Sequence, residues 1–431
     1  MYEQRKAQRP PETLWRRWVN RPQQVWLRRA FFQIHLWAGV IVGLYIIAIG
    51  VSGSILVFKE ELMPRPDVDV PWVDTRACSP EGLVSIADRI NEQYPEKYVF
   101  LTACPSEFQR FYLMTMRDKP KPRVEGEAPA RGFRAEHGEE VAVYAHPLTG
   151  EIVGTADRES SWVHWMQDFH YNLQLGRGGR FWNGVGGAVL MALTITGIVL
   201  WWPGIRKWTR ALKVDLSRSW KRINWDLHSA AGLWTILFTA VWAFTGMYFT
   251  WPEVINWPAN AVSSVETAHY PGERMRELRD RPAAPPGGFD LMAVLRESQE
   301  ISPDAALEGY FYGGGEKPIF TVYMAHGRVG DYANTDFLYF DQHSGEHLHT
   351  WRRGRNQTLG DWMVWLMIPL HFGTSWGPVV KWTWCILGLA LPLLTITGFI
   401  MYWNRYLGGK WRALRYGKHP RVARSAVVGA E

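Results

Sequence analysis

Four runs without a single charged residue, at 36–58, 181–203, 233–251 and 382–403, limit what this 431-residue chain can fold into. Each is long enough to cross a hydrocarbon core of about 30 Å, which takes about 20 helical residues. A wholly cytoplasmic enzyme is therefore excluded. Mean hydropathy is −0.19, as in a soluble protein, but a mean hides blocks. In the first run, twelve residues between Val40 and Phe58 each favour insertion by ~0.3–0.6 kcal/mol, together about 4–7 kcal/mol. A signal peptide fits poorly, because the apolar stretch is too long. Lys59-Glu60-Glu61 also follows it with no small-residue cleavage site. The expectation is a retained helix. A disordered chain is excluded by an aromatic content of 14%.

Basic residues set the orientation. The segments 1–29, 204–223 and 404–431 hold 22 of the 48 Lys and Arg, against only Glu3, Glu12, Asp215 and Glu431. Short basic loops stay in the cytoplasm, so both termini and the middle loop are expected inside. The remaining chain has 26 basic and 37 acidic residues. The overall charge of +7 is thus a membrane-orienting collar that touches lipid, and it gives no reason to expect nucleic acid. The acidic balance outside keeps a domain soluble or attracts cationic ligands.

The chain also repeats itself. His35-Leu-Trp-Ala-Gly39 matches His228-Ser-Ala-Ala-Gly232, and Gly53 and Gly246 follow these histidines by eighteen residues. Phe169-His170 matches Leu370-His371, and Thr194-Ile-Thr-Gly197 is identical to Thr395-Ile-Thr-Gly398. Tyr144–Thr155 parallels Tyr339–Thr350 around a shared Gly-Glu. This predicts two copies of one unit (span, external domain, interfacial segment, span) related as a parallel repeat. Each external domain reads as mixed α/β. Helices are predicted at 79–94 and 290–300, and strands at 108–116, 141–152, 318–324 and 337–350. Loops are expected at 117–140 and 270–288, and interfacial segments at 161–175 and 359–373.

An ionisable residue inside a membrane is a functional hypothesis by default. His35 lies six residues past Arg29 and His228 six past Arg222, about 9 Å of helical rise each. His170 and His371 hold equivalent places at the outer edge. Two histidines at one depth on facing helices are what bis-imidazole haem ligation needs. Gly39 and Gly43 lie four and eight residues past His35, and Gly232 four past His228. They leave a stripe without side chains, suited to a flat macrocycle or to close helix packing. Single capping histidines would satisfy the chemistry too, but two symmetric pairs favour haem. His164 is expected at the rim, near a haem propionate.

Other residues say less. His343, His347 and His349 read as a solvated hairpin rather than a metal site. Cys78 and Cys104 fall outside, either as a disulfide worth roughly 3 kcal/mol or as two buried thiols. Cys385 reads as packing, and the tryptophans as interfacial belts. A P-loop, a dinucleotide fingerprint, a Ser-His-Asp set and His-Glu-x-x-His are all missing from the sequence.

Through His35–Gly39, His170–Gly176, 198–203 and His371–Gly377 the chain resembles the PepSY-associated transmembrane family across roughly residues 30–405. The Thr-Gly-Glu hairpin looks like a PepSY module. The resemblance implies a multi-pass protein of the bacterial inner membrane, similar to reductases that release iron from ferric siderophores. It implies two haem b groups with His35, His170, His228 and His371 as axial ligands. It also implies a ferric siderophore as substrate, and an electron donor on the cytoplasmic or quinol side. Ser229-Ala-Ala231 and the long 117–140 loop depart from typical members. The expected fold is a four-span α-helical bundle with two periplasmic α+β PepSY-like domains. Its parts are a basic arm (1–29), a first span (30–60), domain one (61–160), an interfacial helix with the second span (161–203) and a basic loop (204–223). There follow a third span (224–252), domain two (253–358), an interfacial helix with the fourth span (359–403) and a basic tail (404–431). Two rivals remain. One is a non-enzymatic module that binds peptides or restrains a periplasmic protease. The other is a haem relay to a periplasmic partner protein.

Overall fold

The computed structural model describes residues 13–70, 78–106, 110–119, 140–157, 161–265, 288–313 and 319–416. The loops expected at 117–140 and 270–288 and the end of the basic tail lie largely outside these. In chain order the first elements are α1 (Leu14–Asn20), α2 (Trp26–Leu56), α3 (Lys59–Leu62) and α4 (Pro80–Gln93). Strands β1 (Lys97–Ala103), β2 (Tyr112–Asp118), β3 (Val141–Ala145) and β4 (Ile152–Asp157) come next. After them run α5 (Trp162–Asn172), α6 (Gly176–Trp201), α7 (Trp220–Thr250), α8 (Glu253–Val262) and α9 (Leu291–Ile301). The second strand set is β5 (Ala306–Tyr312), β6 (Ile319–Ala325), β7 (Thr335–Asp341) and β8 (His347–Arg352). The chain ends with α10 (Leu359–Phe372), α11 (Pro378–Gly388), α12 (Ala390–Tyr402) and α13 (Gly408–Tyr416).

Four helical segments are long and apolar enough to span a membrane: α2, α6, α7 and the stretch Pro378–Arg415. They enclose the four charge-free runs almost completely, and α2 and α7 begin earlier because a helix need not stop at a charge. The fourth segment breaks between α11 and α12. Pro392 lacks the N–H that would bond the carbonyl of Gly388, four residues back. Large apolar side chains stand out from these helices, with Leu44 81% and Leu237 68% exposed, as lipid-facing positions require.

The chain divides into two compact units. The first comprises residues 1–51, 188–240 and 387–431. Its interior includes Ile46, Leu193 and Leu391. Arg28 donates to the carbonyls of Val199 (3.0 Å), Trp202 (2.9 Å) and Leu200, closing the C-terminal end of α6 where the helix dipole is negative.

The second unit comprises residues 52–187 and 241–386. It holds one eight-stranded antiparallel sheet, ordered β4-β3-β2-β1-β5-β6-β7-β8. Two separate external domains were expected, yet the two strand sets join edge to edge at β1 and β5. Leu101 pairs with Phe311, and the Cys104 amide donates to Glu308 O at 2.7 Å. A Cβ on Gly309 would stand 2.1 Å from Thr102 O, so only glycine lets the two backbones meet there. Helices α4 and α9 are amphipathic. Ser79 and Asp290 cap them by accepting from Gly82 N (3.0 Å) and Ala293 N (3.1 Å). Both cover one face of the sheet, burying Leu83, Ile90 and Leu295 against Met114, Val143, Phe320 and Leu338. Burial of this kind is worth about 1.5–3 kcal/mol per large side chain. Cys78 and Cys104 form a disulfide across this core.

Candidate functional site

Each unit contains one histidine pair. In the first, His35 on α2 faces His228 on α7, with ring centroids 6.3 Å apart and planes at 87°. In the second, His170 near the end of α5 faces His371 near the end of α10, at 6.4 Å and 55°. Histidines 193 and 201 residues apart in sequence thus meet two by two.

Each ring has a buried hydroxyl at Nδ1. His35 meets Thr196 Oγ1 at 3.0 Å and His228 meets Thr397 Oγ1 at 3.0 Å. His170 meets Ser52 Oγ at 2.9 Å and His371 meets Thr245 Oγ1 at 2.7 Å. The three threonine hydroxyls have already spent their proton. Thr196 donates to Ala192 O, Thr397 to Leu393 O and Thr245 to Val241 O, all at 2.7 Å. Toward the imidazole such an oxygen can only accept, so Nδ1 carries the proton in His35, His228 and His371. Their Nε2 is then the basic nitrogen, the one a metal takes.

A glycine follows every one of these hydroxyl residues: Ser52-Gly53, Thr196-Gly197, Thr245-Gly246 and Thr397-Gly398. A Cβ would approach the His170 ring to 2.9 Å at Gly53, His228 to 3.2 Å at Gly398 and His35 to 3.5 Å at Gly197. At Gly246 nothing lies within 4 Å. Reading the repeat located these glycines but missed the role of the hydroxyl before each. The signal was a Ser/Thr-Gly step on the helix facing each histidine.

The other expected residues take varied places. Gly39, Gly43 and Gly232 face Leu193, Thr395 and Leu394, at 3.9, 3.0 and 3.6 Å from a built Cβ, and serve close helix packing. His164 is half-buried on α5, six residues before His170. On the β7–β8 hairpin, His347 Nε2 lies 2.9 Å from Thr350 Oγ1 and His349 stacks on Tyr339. Among the described residues no three or more His, Cys, Asp or Glu side chains converge as a metal site.

The ends of α5 and α10 hold the second pair in place. Asn183 Nδ2 donates to His170 O at 2.7 Å, and Trp384 Nε1 donates to Leu370 O at 3.0 Å. Gly373 closes α10 at φ 65°, and a Cβ there would lie 2.3 Å from the Trp384 indole. Leu173 closes α5 at φ 51°, a strained value for a branched residue, right after the histidine turn.

The residues fit a bis-histidine haem. An imidazole nitrogen bonds a transition metal at about 2.0–2.1 Å and lies roughly 1.1 Å from its ring centroid, so rings on opposite sides of one metal stand about 6 Å apart. Both observed separations agree with that spacing.

Fold and site together define a four-helix membrane protein that carries an antiparallel sheet and two half-buried histidine pairs. Residues 32–405 match the PepSY-associated TM region. The chain belongs to that family. No curated relative matches it.

Proposed function

We propose that this protein is a di-haem oxidoreductase of the bacterial inner membrane that reduces a ferric siderophore outside and frees its iron. Two histidine pairs with the same Nδ1 support carry this reading. His35 and His228 would hold one haem b, His170 and His371 the other, each through Nε2. Haem iron, cycling between ferric and ferrous, would supply one-electron transfer. The chain's own part is to fix the imidazole tautomers of His35, His228 and His371, exclude water and keep the rings apart. Thr196, Thr397 and Thr245 do the first, Ser52 orients His170, and the buried setting of all four hydroxyls does the second. Each ferric ion takes one electron, and ferrous ion binds the hard oxygen donors of a chelate less strongly. The donor is a quinol or a cytoplasmic reductant.

The basic arm, loop and tail support placing both termini in the cytoplasm, and the disulfide Cys78–Cys104 supports an oxidising compartment for the sheet. On the same reading, β1–β4 and β5–β8 are two PepSY-like copies, and the chain is a parallel repeat of one unit.

The test is a visible spectrum and haem count on protein made with ample haem. Two haems per chain are expected, and reoxidation by a ferric chelate after chemical reduction. A missing Soret band would favour the peptide-binding module. Reduced haem that no chelate reoxidises would favour the relay.

A further inference from the structure

The second unit contains a buried cation without an acid. Arg353 follows β8 and is 9% exposed. Its guanidinium carbon lies 3.8 Å from the Trp351 centroid, 3.9 Å from Phe337 and 5.2 Å from Tyr332. Among the described residues its one hydrogen bond runs from Nη1 to Tyr332 O at 3.3 Å, and buried Nε has no partner. The ionisable groups acting on it are tyrosines, with no carboxylate among them. The other buried cations of this unit are better served. Lys381 pairs with Glu61 at 2.5 Å, while Arg117 donates to Tyr98 Oη and Tyr312 O. Aromatic faces offset part of the cost of burying a charge, but an uncompensated guanidinium normally has an anion.

The neighbours of Arg353 lead to the second histidine pair by two routes. Trp351, under the guanidinium, packs against the cluster that includes Tyr248, which packs on Phe249 at 5.3 Å, which packs on His371 at 5.1 Å. Tyr332 lies over the guanidinium and within reach of Tyr171, which stands 6.1 Å from the His170 ring. Tyr332 is itself 51% exposed, so the aromatic box is open at that ring.

We propose that Arg353 is an anion site whose guanidinium receives a propionate carboxylate of the haem held by His170 and His371. This rests on the di-haem reading. Guanidinium presents a planar fork that suits a carboxylate. A cation that neutralises a propionate disfavours the ferric state, so it raises that haem's potential.

The experiment uses the full chain, haem-loaded in lipid nanodiscs, with Arg353→Gln and Arg353→Lys. Spectroelectrochemical titration resolves the two midpoint potentials, and His35→Ala identifies the outer one. Arg353→Gln is expected to shift the outer haem tenfold toward the oxidised form, 59 mV for one electron, with the other haem unmoved. Arg353→Lys keeps the charge and should retain most of the wild-type potential, which a purely structural role would not produce. Two haems with unmoved potentials would overturn the assignment. So would an unmoved potential accompanied by weaker affinity for an anionic ferric chelate, or a shift that disappears in nanodiscs of neutral lipid. Wild-type protein without haem would sink the di-haem reading itself.

Discussion

The two histidine pairs use the same grip in different surroundings. His228 has a second acceptor at Nδ1, Leu394 O at 2.9 Å, and the His35 ring lies beside the Leu193 backbone. His371 has Thr245 as its single hydrogen-bond partner among the described residues and is bordered by Phe249 and Phe372. The first pair is therefore held redundantly by backbone and hydroxyl, whereas His371 in the second rests on one hydroxyl and on aromatic packing. A shared hydroxyl support at Nδ1 does not imply shared sensitivity to mutation.

The sharpest way to break the comparison is to remove a ligand. His35→Ala or His228→Ala should abolish one haem and leave the other, and His371→Ala should do the reverse. Haem stoichiometry and the low-temperature α-band count this directly. Equal loss of both haems from any single variant would mean that the pairs are not independent.

Protonation offers the next largest effect, confined to the sheet-bearing unit. Glu308 on β5 is half-buried, and loss of hydration pushes its carboxyl up to about 7 while Thr335 Oγ1 donates to it at 3.1 Å. Because the folded state keeps this proton longer than the unfolded chain does, its contribution to stability is complete below about pH 4.5. It is lost as pH rises through about 7, and the difference amounts to roughly 3 kcal/mol. Glu308→Gln should flatten that slope in thermal unfolding followed by sheet circular dichroism. A wild-type protein whose sheet melts at one temperature from pH 5 to 8 would contradict this.

Much of the architecture was legible because lipid imposes a blunt rule: a span must be apolar and uncharged, and 36–58 and its three counterparts obey it. Helices α4 and α9 were legible from capping residues and 3.6-residue spacing. Strands β1 and β5 were not. Lys97–Ala103 is buried without alternation, and Ala306–Tyr312 contains the seam glycine, so neither has the period of two that marks a half-buried strand. The join between them is set by residues two hundred positions apart. Hydroxyl partners were hidden for another reason. A Thr in a membrane helix ordinarily bonds its own i−4 carbonyl, and Thr196, Thr245 and Thr397 do so while also accepting from a distant histidine.

Those hydroxyls sharpen the comparison further. Thr245→Val removes the acceptor His371 relies on, and loss of such a supporting contact typically costs 10–100-fold in affinity for the bound group. Thr397→Val leaves His228 with Leu394 O, so its effect should be several-fold smaller. Haem transfer to apomyoglobin, followed separately for each variant, measures both. Similar loss rates for the two would remove the distinction between a redundant and a single support.

The finest prediction concerns the four glycines. Glycine to alanine in a helix interior gains about 1 kcal/mol of propensity, so each substitution is neutral or favourable unless the new methyl meets something. At Gly53 it would meet the His170 ring at 2.9 Å, at Gly398 the His228 ring at 3.2 Å and at Gly197 the His35 ring at 3.5 Å. At Gly246 it would meet nothing within 4 Å, so Gly246→Ala should raise the melting temperature slightly and leave the haem spectrum alone. Gly53→Ala should displace its imidazole most, with a changed low-spin ferric EPR signal, then Gly398→Ala, with Gly197→Ala nearly silent. Because Gly53 and Gly246 serve the same pair yet stand at opposite ends of that order, it follows from local contact alone, and a ranking by pair instead would mean that each haem pocket yields as a whole.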